Sequence, residues 1–138
     1  MKFTEFPPAP AGDQPRRKLT RKECLSNSLG MAQEIPGLRY AEGIAKSDMG
    51  LWYRHAWNVN DAGEAVDYTW RETGQRYLGR VIDADEKWQA VVKADMYHFD
   101  DEQPYVPDGE LGLDCHTREQ AEWIREQMTA RKGVSTSE

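Results

Sequence analysis

The stretch His55-Ala56-Trp57-Asn58-Val59-Asn60-Asp61-Ala62-Gly63-Glu64-Ala65-Val66-Asp67-Tyr68-Thr69-Trp70 decides the fold. Residues 54–59 and 64–70 are rich in aromatic and β-branched side chains, as strands are. Between them, Asn60-Asp61-Ala62-Gly63 suits a three-residue hairpin loop built on a type I turn with Gly63 left-handed. That loop pairs Asn60 with Glu64, Trp57 with Asp67 and His55 with Thr69. His55 and Asp67 then become diagonal neighbours on one sheet face, about 7 Å apart between backbones and within reach of their side chains. A loop one residue longer would send them to opposite faces, because side chains alternate with period two. A carboxylate beside an imidazole fixes its tautomer and supports positive charge on it.

Upstream of the hairpin, Thr20 and Glu23 form a capping-box pair. Leu25, Leu29, Ala32 and Ile35 share one helical face, and Pro36-Gly37 ends the pattern. The predicted helix over 20–35 makes Cys24 its fourth residue, with its N–H bonded to the Thr20 carbonyl. Asn27, on a similar face, is then the residue placed to donate to an oxyanion. A strand is expected over 38–45 and another over 75–82, and Ala84, Trp88, Val91, Val92 and Met96 have helical spacing. Residues 99–110 form an acidic, Pro-containing loop, and a last helix over 118–131 is capped by Thr117 with Gln120. Helix, antiparallel strands, then C-terminal helices make the fold class α+β.

Residues 1–18 hold four of the seven prolines and read as a flexible Pro-rich arm ending in Arg16-Arg17-Lys18. Residues 19–131 form a single domain, and 132–138 read as a disordered tail. Charged residues make up 30% of the chain and mean hydropathy is -0.86, so five Trp and six Tyr must supply much of the core volume. A net charge of -6 argues against nucleic acid and anionic membranes as partners. No apolar run approaches the roughly 20 residues of a membrane span. Without an export signal, a cytoplasmic location with both cysteines as free thiols is expected.

Chain order Cys24, His55, Asp67 is that of a thiol nucleophile, its base and the base's orienter. Cys24 on a helix, Tyr40-Ala-Glu-Gly43 on a strand, His55-Ala-Trp-Asn58, then Val66-Asp67-Tyr-Thr-Trp70 together resemble the transglutaminase-like branch of the papain-like cysteine hydrolases. The resemblance spans about residues 20–82. It implies a helix carrying Cys24 packed on a small antiparallel sheet, with Cys24 as nucleophile, His55 as general base and Asp67 as orienter. It implies thioester chemistry on a protein, peptide or small amide substrate, with no cofactor. The family spans peptidases, acyl transferases, deamidases and members without activity.

The remaining residues carry plainer expectations. Trp57 and Trp70 read as core or pocket wall. Glu42 beside Gly43 reads first as a solvated strand charge and second as a hydrogen-bonding neighbour of the site. Cys115-His116 has no CxxC or HxxxH partner, so no metal is expected. The acidic 99–110 loop is solubilising or recruits a basic partner. A second functional class is an inactive transglutaminase-like fold used for protein binding, which would suit a viral or mobile-element protein.

Overall fold

The computed structural model describes residues 3–83, 89, 91–92, 104–113 and 116–136, with backbone alone at 125, 128 and 132–136. The fold is α+β. A six-stranded sheet runs in the order β1 (Thr4–Glu5), β5 (Arg76–Ile82), β2 (Arg39–Lys46), β3 (Trp52–Val59) and β4 (Ala65–Val66), and β6 (Gly112–Leu113) pairs with β3. All neighbours are antiparallel except β3 and β6. Helix α1 (Cys24–Glu34) packs on one face, and α2 (Arg118–Thr136) closes the described chain.

The hairpin forms with the register its turn dictates. The Asn60 N–H donates to the Glu64 carbonyl, Asn58 pairs with Val66, and Gly63 has φ +77. Asn60 Oδ1 also accepts from the N–H groups of Ala62 and Glu64, so the side chain holds the loop closed. The second strand is much shorter than 64–70. Asp67 Oδ1 accepts from the Thr69 and Trp70 N–H groups, and this local turn takes the chain out of the ladder after Val66.

Both faces of the sheet are buried. On one, Leu25 and Leu29 of α1 meet Tyr40, Ala56, Ile82 and Val92. Asn58 Nδ2 pins α1 there by donating to the Ser28 carbonyl at 2.8 Å. On the other, Ala41, Ala45, Trp57, Val59, Ala65 and Tyr77 pack with Phe6. Trp57 fits because Gly43 and Gly79 lie opposite each other in β2 and β5. A Cβ at Gly79 would come within 2.1 Å of the Glu42 carbonyl oxygen and 2.8 Å of the Trp57 ring.

Three expectations are corrected. Helix α1 begins at Cys24, not 20, because Lys22 is left-handed (φ 67) and turns the chain before the helix starts. The Thr20 carbonyl instead accepts from Asn27 Nδ2. Residues 3–18 are not a loose arm: β1 pairs with β5, Phe6 and Ala9 are buried, and Gln14 bridges to the hairpin. The last helix continues to Thr136, through most of the expected tail, with the Thr117–Gln120 capping box at its start. Residues 104–110, the described part of the acidic loop, are irregular as expected, and Glu110 accepts from Lys46 Nζ at 2.5 Å. Most of the helical spacing around 84–96, along with His98 and Cys115, lies outside the described residues.

Two glycine substitutions should separate packing from backbone entropy. Gly79→Ala forces β2 and β5 apart and should cost about 2–3 kcal/mol or more. Gly30→Ala, on α1 with nothing within 4 Å, should stabilise by about 0.5–1 kcal/mol. Denaturant unfolding of both variants measures the contrast.

Candidate active site

Asp67 is fully buried, yet its carboxylate has a donor on every side. Oδ2 accepts from His55 Nε2 at 2.9 Å and from the Tyr77 hydroxyl at 2.8 Å. Oδ1 accepts from the Thr69 and Trp70 N–H groups at 2.9 and 3.0 Å. Its backbone is held as well. The Asp67 N–H donates to Gln14 Oε1, and Lys18 Nζ donates to the Asp67 carbonyl.

His55 is 1% exposed, and Trp70 lies over its ring with centroids 3.9 Å apart and planes 19° from parallel. The Trp57 ring lies 6.2 Å from the same imidazole. Nε2 is committed to Asp67, and Cys24 is the other side chain that acts on the imidazole. Cys24 is half-buried and is the first residue of α1. It borders the cluster under α1, whereas the His55 side chain belongs to the opposite sheet face. Beside His55 the edge of β3 is uncovered by β4, which pairs only with Asn58 and Val59.

Burial by itself pushes the His55 imidazole down. The charge and hydrogen bond of Asp67, together with those of Cys24, outweigh burial and raise it to about 9. Burial pushes the Asp67 carboxyl up, but His55 and the Trp70 and Thr69 N–H groups hold it below its ordinary value. Burial and the Asp67 charge drive the Tyr77 phenol upward, so it stays protonated and donates. The pair therefore rests as imidazolium and carboxylate at neutral pH.

The other singled-out residues separate into distinct places. Asn27 Nδ2 spends its hydrogens on the Thr20 carbonyl and Thr69 Oγ1, so it ties the approach to α1 to the Asp67 turn rather than pointing a donor at a substrate. Glu42 is not a solvated charge: it is buried, accepts from the Tyr40 hydroxyl at 2.6 Å, and lies on the α1 face opposite Arg80 of β5. Trp57 is core. Trp70 is the cover over His55. The contacts of Tyr77, Gln14 and Lys18 to Asp67 are not legible in the sequence, since they span 10, 53 and 49 residues and leave no local pattern.

Among the described residues no cluster of three or more His, Cys, Asp or Glu could hold a metal ion, and no helix is long and apolar enough to cross a membrane. A concavity of about 640 Å³ over His116, Glu119, Gln120, Trp123 and Ile124 belongs to α2 and includes no residue of the Asp67 network. Comparison of the chain with protein-family models, curated proteins and solved structures gives no match.

The His55–Asp67 pair sets a pH signature. Because the folded imidazole is raised from 6.5 to about 9, its stabilisation is complete below pH 6.5 and is lost as pH rises through about 9. The depressed Asp67 carboxyl contributes above its unfolded value, and that contribution is lost as pH falls through the folded one. Asp67→Asn should flatten the alkaline slope and lower the His55 titration well below about 9, since Cys24 is then the main group left to oppose burial. Imidazole NMR titration and unfolding at pH 6, 8 and 10 read both effects. Tyr77→Phe should cost about 1–3 kcal/mol by leaving Asp67 one donor short.

Proposed function

We propose that the chain is a cysteine hydrolase or acyl transferase with Cys24 as nucleophile, His55 as general acid and base, and Asp67 as orienter. The supporting observation is the buried His55–Asp67 pair, with Cys24, at the first position of a helix, among the groups that raise the imidazole. The finer fold reading, a transglutaminase-like core of the papain-like type, is part of the same proposal. It rests on the helix, hairpin and antiparallel sheet together with the residue order.

The chemistry follows from the charges. The imidazolium and the positive end of α1 both favour the Cys24 thiolate. Sγ attacks the acyl carbon of an amide. As the C–N bond breaks, His55 gives its proton to the departing nitrogen, leaving a thioester on Cys24. Water or an amine, deprotonated by His55, attacks the thioester and restores the thiolate. Asp67 keeps the ring oriented throughout, and Trp70 shields the His55–Asp67 hydrogen bond from water, which strengthens it.

The test is the alkylation rate of Cys24 by iodoacetamide against pH, followed by peptide mass spectrometry, with His55→Ala as control. A rate that stays high well below pH 8 and falls in the control is expected. Slow alkylation at neutral pH in both proteins would overturn the reading in favour of a binding scaffold. Once a substrate is found, Cys24→Ala should lower turnover on the order of 10⁴-fold while leaving the fold intact by circular dichroism.

A further inference from the structure

The segment that leads into Cys24 and is hydrogen-bonded to the backbone of Asp67 and Tyr68 is the most basic in the chain. Residues 16–22, Arg-Arg-Lys-Leu-Thr-Arg-Lys, carry five of the 18 Lys and Arg and none of the 24 Asp and Glu. The chain as a whole is at -6, so this is a local reversal of sign. The fold fixes where the reversal lies. Lys18 Nζ sits 2.5 Å from the Asp67 carbonyl, and the Leu19 N–H donates to the Tyr68 carbonyl at 2.7 Å. The Thr20 carbonyl is held by Asn27, one turn along α1 from Cys24. Lys22, two residues before Cys24, is kept in the left-handed region, which an L side chain enters at a cost. Arg16, Arg17, Arg21 and Lys22 are exposed. A strip of positive charge therefore runs along the surface from Asp67 to Cys24, pinned at three points. Nearby acids are few: Glu23 follows the strip, and Glu72 lies close enough to act on Lys18.

We propose that this strip selects an anionic acyl substrate, one carrying a carboxylate beside the carbonyl that Cys24 attacks, as in a peptide segment rich in Asp and Glu. The proposal rests on the cysteine reading above and names the substrate class for it. Charges within a Debye length of about 8–10 Å act on an approaching ligand, and in a rim of one sign they raise its local concentration and its rate of capture. Neutral and cationic substrates gain nothing from such a rim. The residues of the strip would act as binding residues, not as participants in proton transfer.

The test uses two alkylating reagents of the same mechanism and different charge, iodoacetate and iodoacetamide, on the full chain. In each, Sγ of Cys24 forms a bond to the methylene carbon and iodide leaves. Peptide mapping follows Cys24 apart from Cys115. The readout is the iodoacetate-to-iodoacetamide rate ratio relative to a free small thiol, which cancels any change in thiolate fraction. His55 also favours the anion, so the deciding arm is the variant R16Q/R17Q/R21Q/K22Q. The ratio should fall about threefold or more in that variant, and should fall similarly in the native chain as salt rises from 20 mM to 0.5 M. A ratio unchanged by both the variant and salt overturns the proposal. Loss of the His55 dependence with iodoacetamide would instead overturn the cysteine reading, so the two failures are distinct. If that variant does not fold, R16Q/R17Q, at two exposed positions remote in sequence from α1, takes its place as the deciding arm.

Discussion

Asp67 is a carboxylate removed from water, and a buried charge is tolerated only when it is paired and its lone pairs are filled. Here four donors meet that demand, and each fixes a different part of the molecule. The Thr69 and Trp70 N–H groups bend the chain off β4 and bring the Trp70 indole over His55. Tyr77 ties Asp67 to β5, and its oxygen also accepts from the Gly74 N–H, closing the loop that leads into β5. His55 supplies the compensating charge. No single donor is dispensable without stranding the anion in an apolar setting, so the hairpin, the turn after it and β5 are specified together.

The hairpin was legible in the sequence because everything that sets it lies within a few residues: the Asn60 side chain, a left-handed Gly63 and the alternation on either side. Its early end was not. Asp67 counts as a strand residue by position, but its carboxylate competes for the backbone donors that a longer strand would have used. The start of α1 misled for a related reason. Thr20 and Glu23 have capping-box spacing, yet Asn27 reaches back to the Thr20 carbonyl and across to Thr69, and this tertiary contact outweighs the local signal. Proline content made residues 3–18 read as loose. Phe6 in the core and the Gln14 amide, which bridges Ala9, Ala65 and Asp67, tie the segment down.

The two faces of the sheet do different work for the site. The α1 face is packed with Leu25, Leu29, Tyr40 and Ile82, which set the height and angle of the helix. The opposite face stacks His55, Trp57, Trp70 and Tyr77 over a floor that Gly43 and Gly79 keep flat. In the proposed mechanism a cysteine on the first face has to reach a histidine on the second around an edge. The shortness of β4 supplies that edge, and β4 is short because Asp67 turns the chain. On that reading the carboxylate that orients the imidazole also clears the way for the thiol.

Charge balance extends the argument from the core to the surface. Imidazolium and carboxylate together are neutral, so the buried pair needs no further counter-ion. Ionising Cys24 leaves the group of three with a net negative charge in a half-buried position. The positive end of α1 offsets part of it, but that field fades beyond the first turn. The remaining compensation on hand is the strip from Arg16 to Lys22, which leads into Cys24 and is tied to the Asp67 backbone through Lys18. A protein at -6 overall has little reason to concentrate five cations there for solubility. On the proposed reading they stabilise the Cys24 thiolate and present the same sign of field to whatever approaches. A requirement of the proposed nucleophile and a preference for an anionic ligand are then one electrostatic feature.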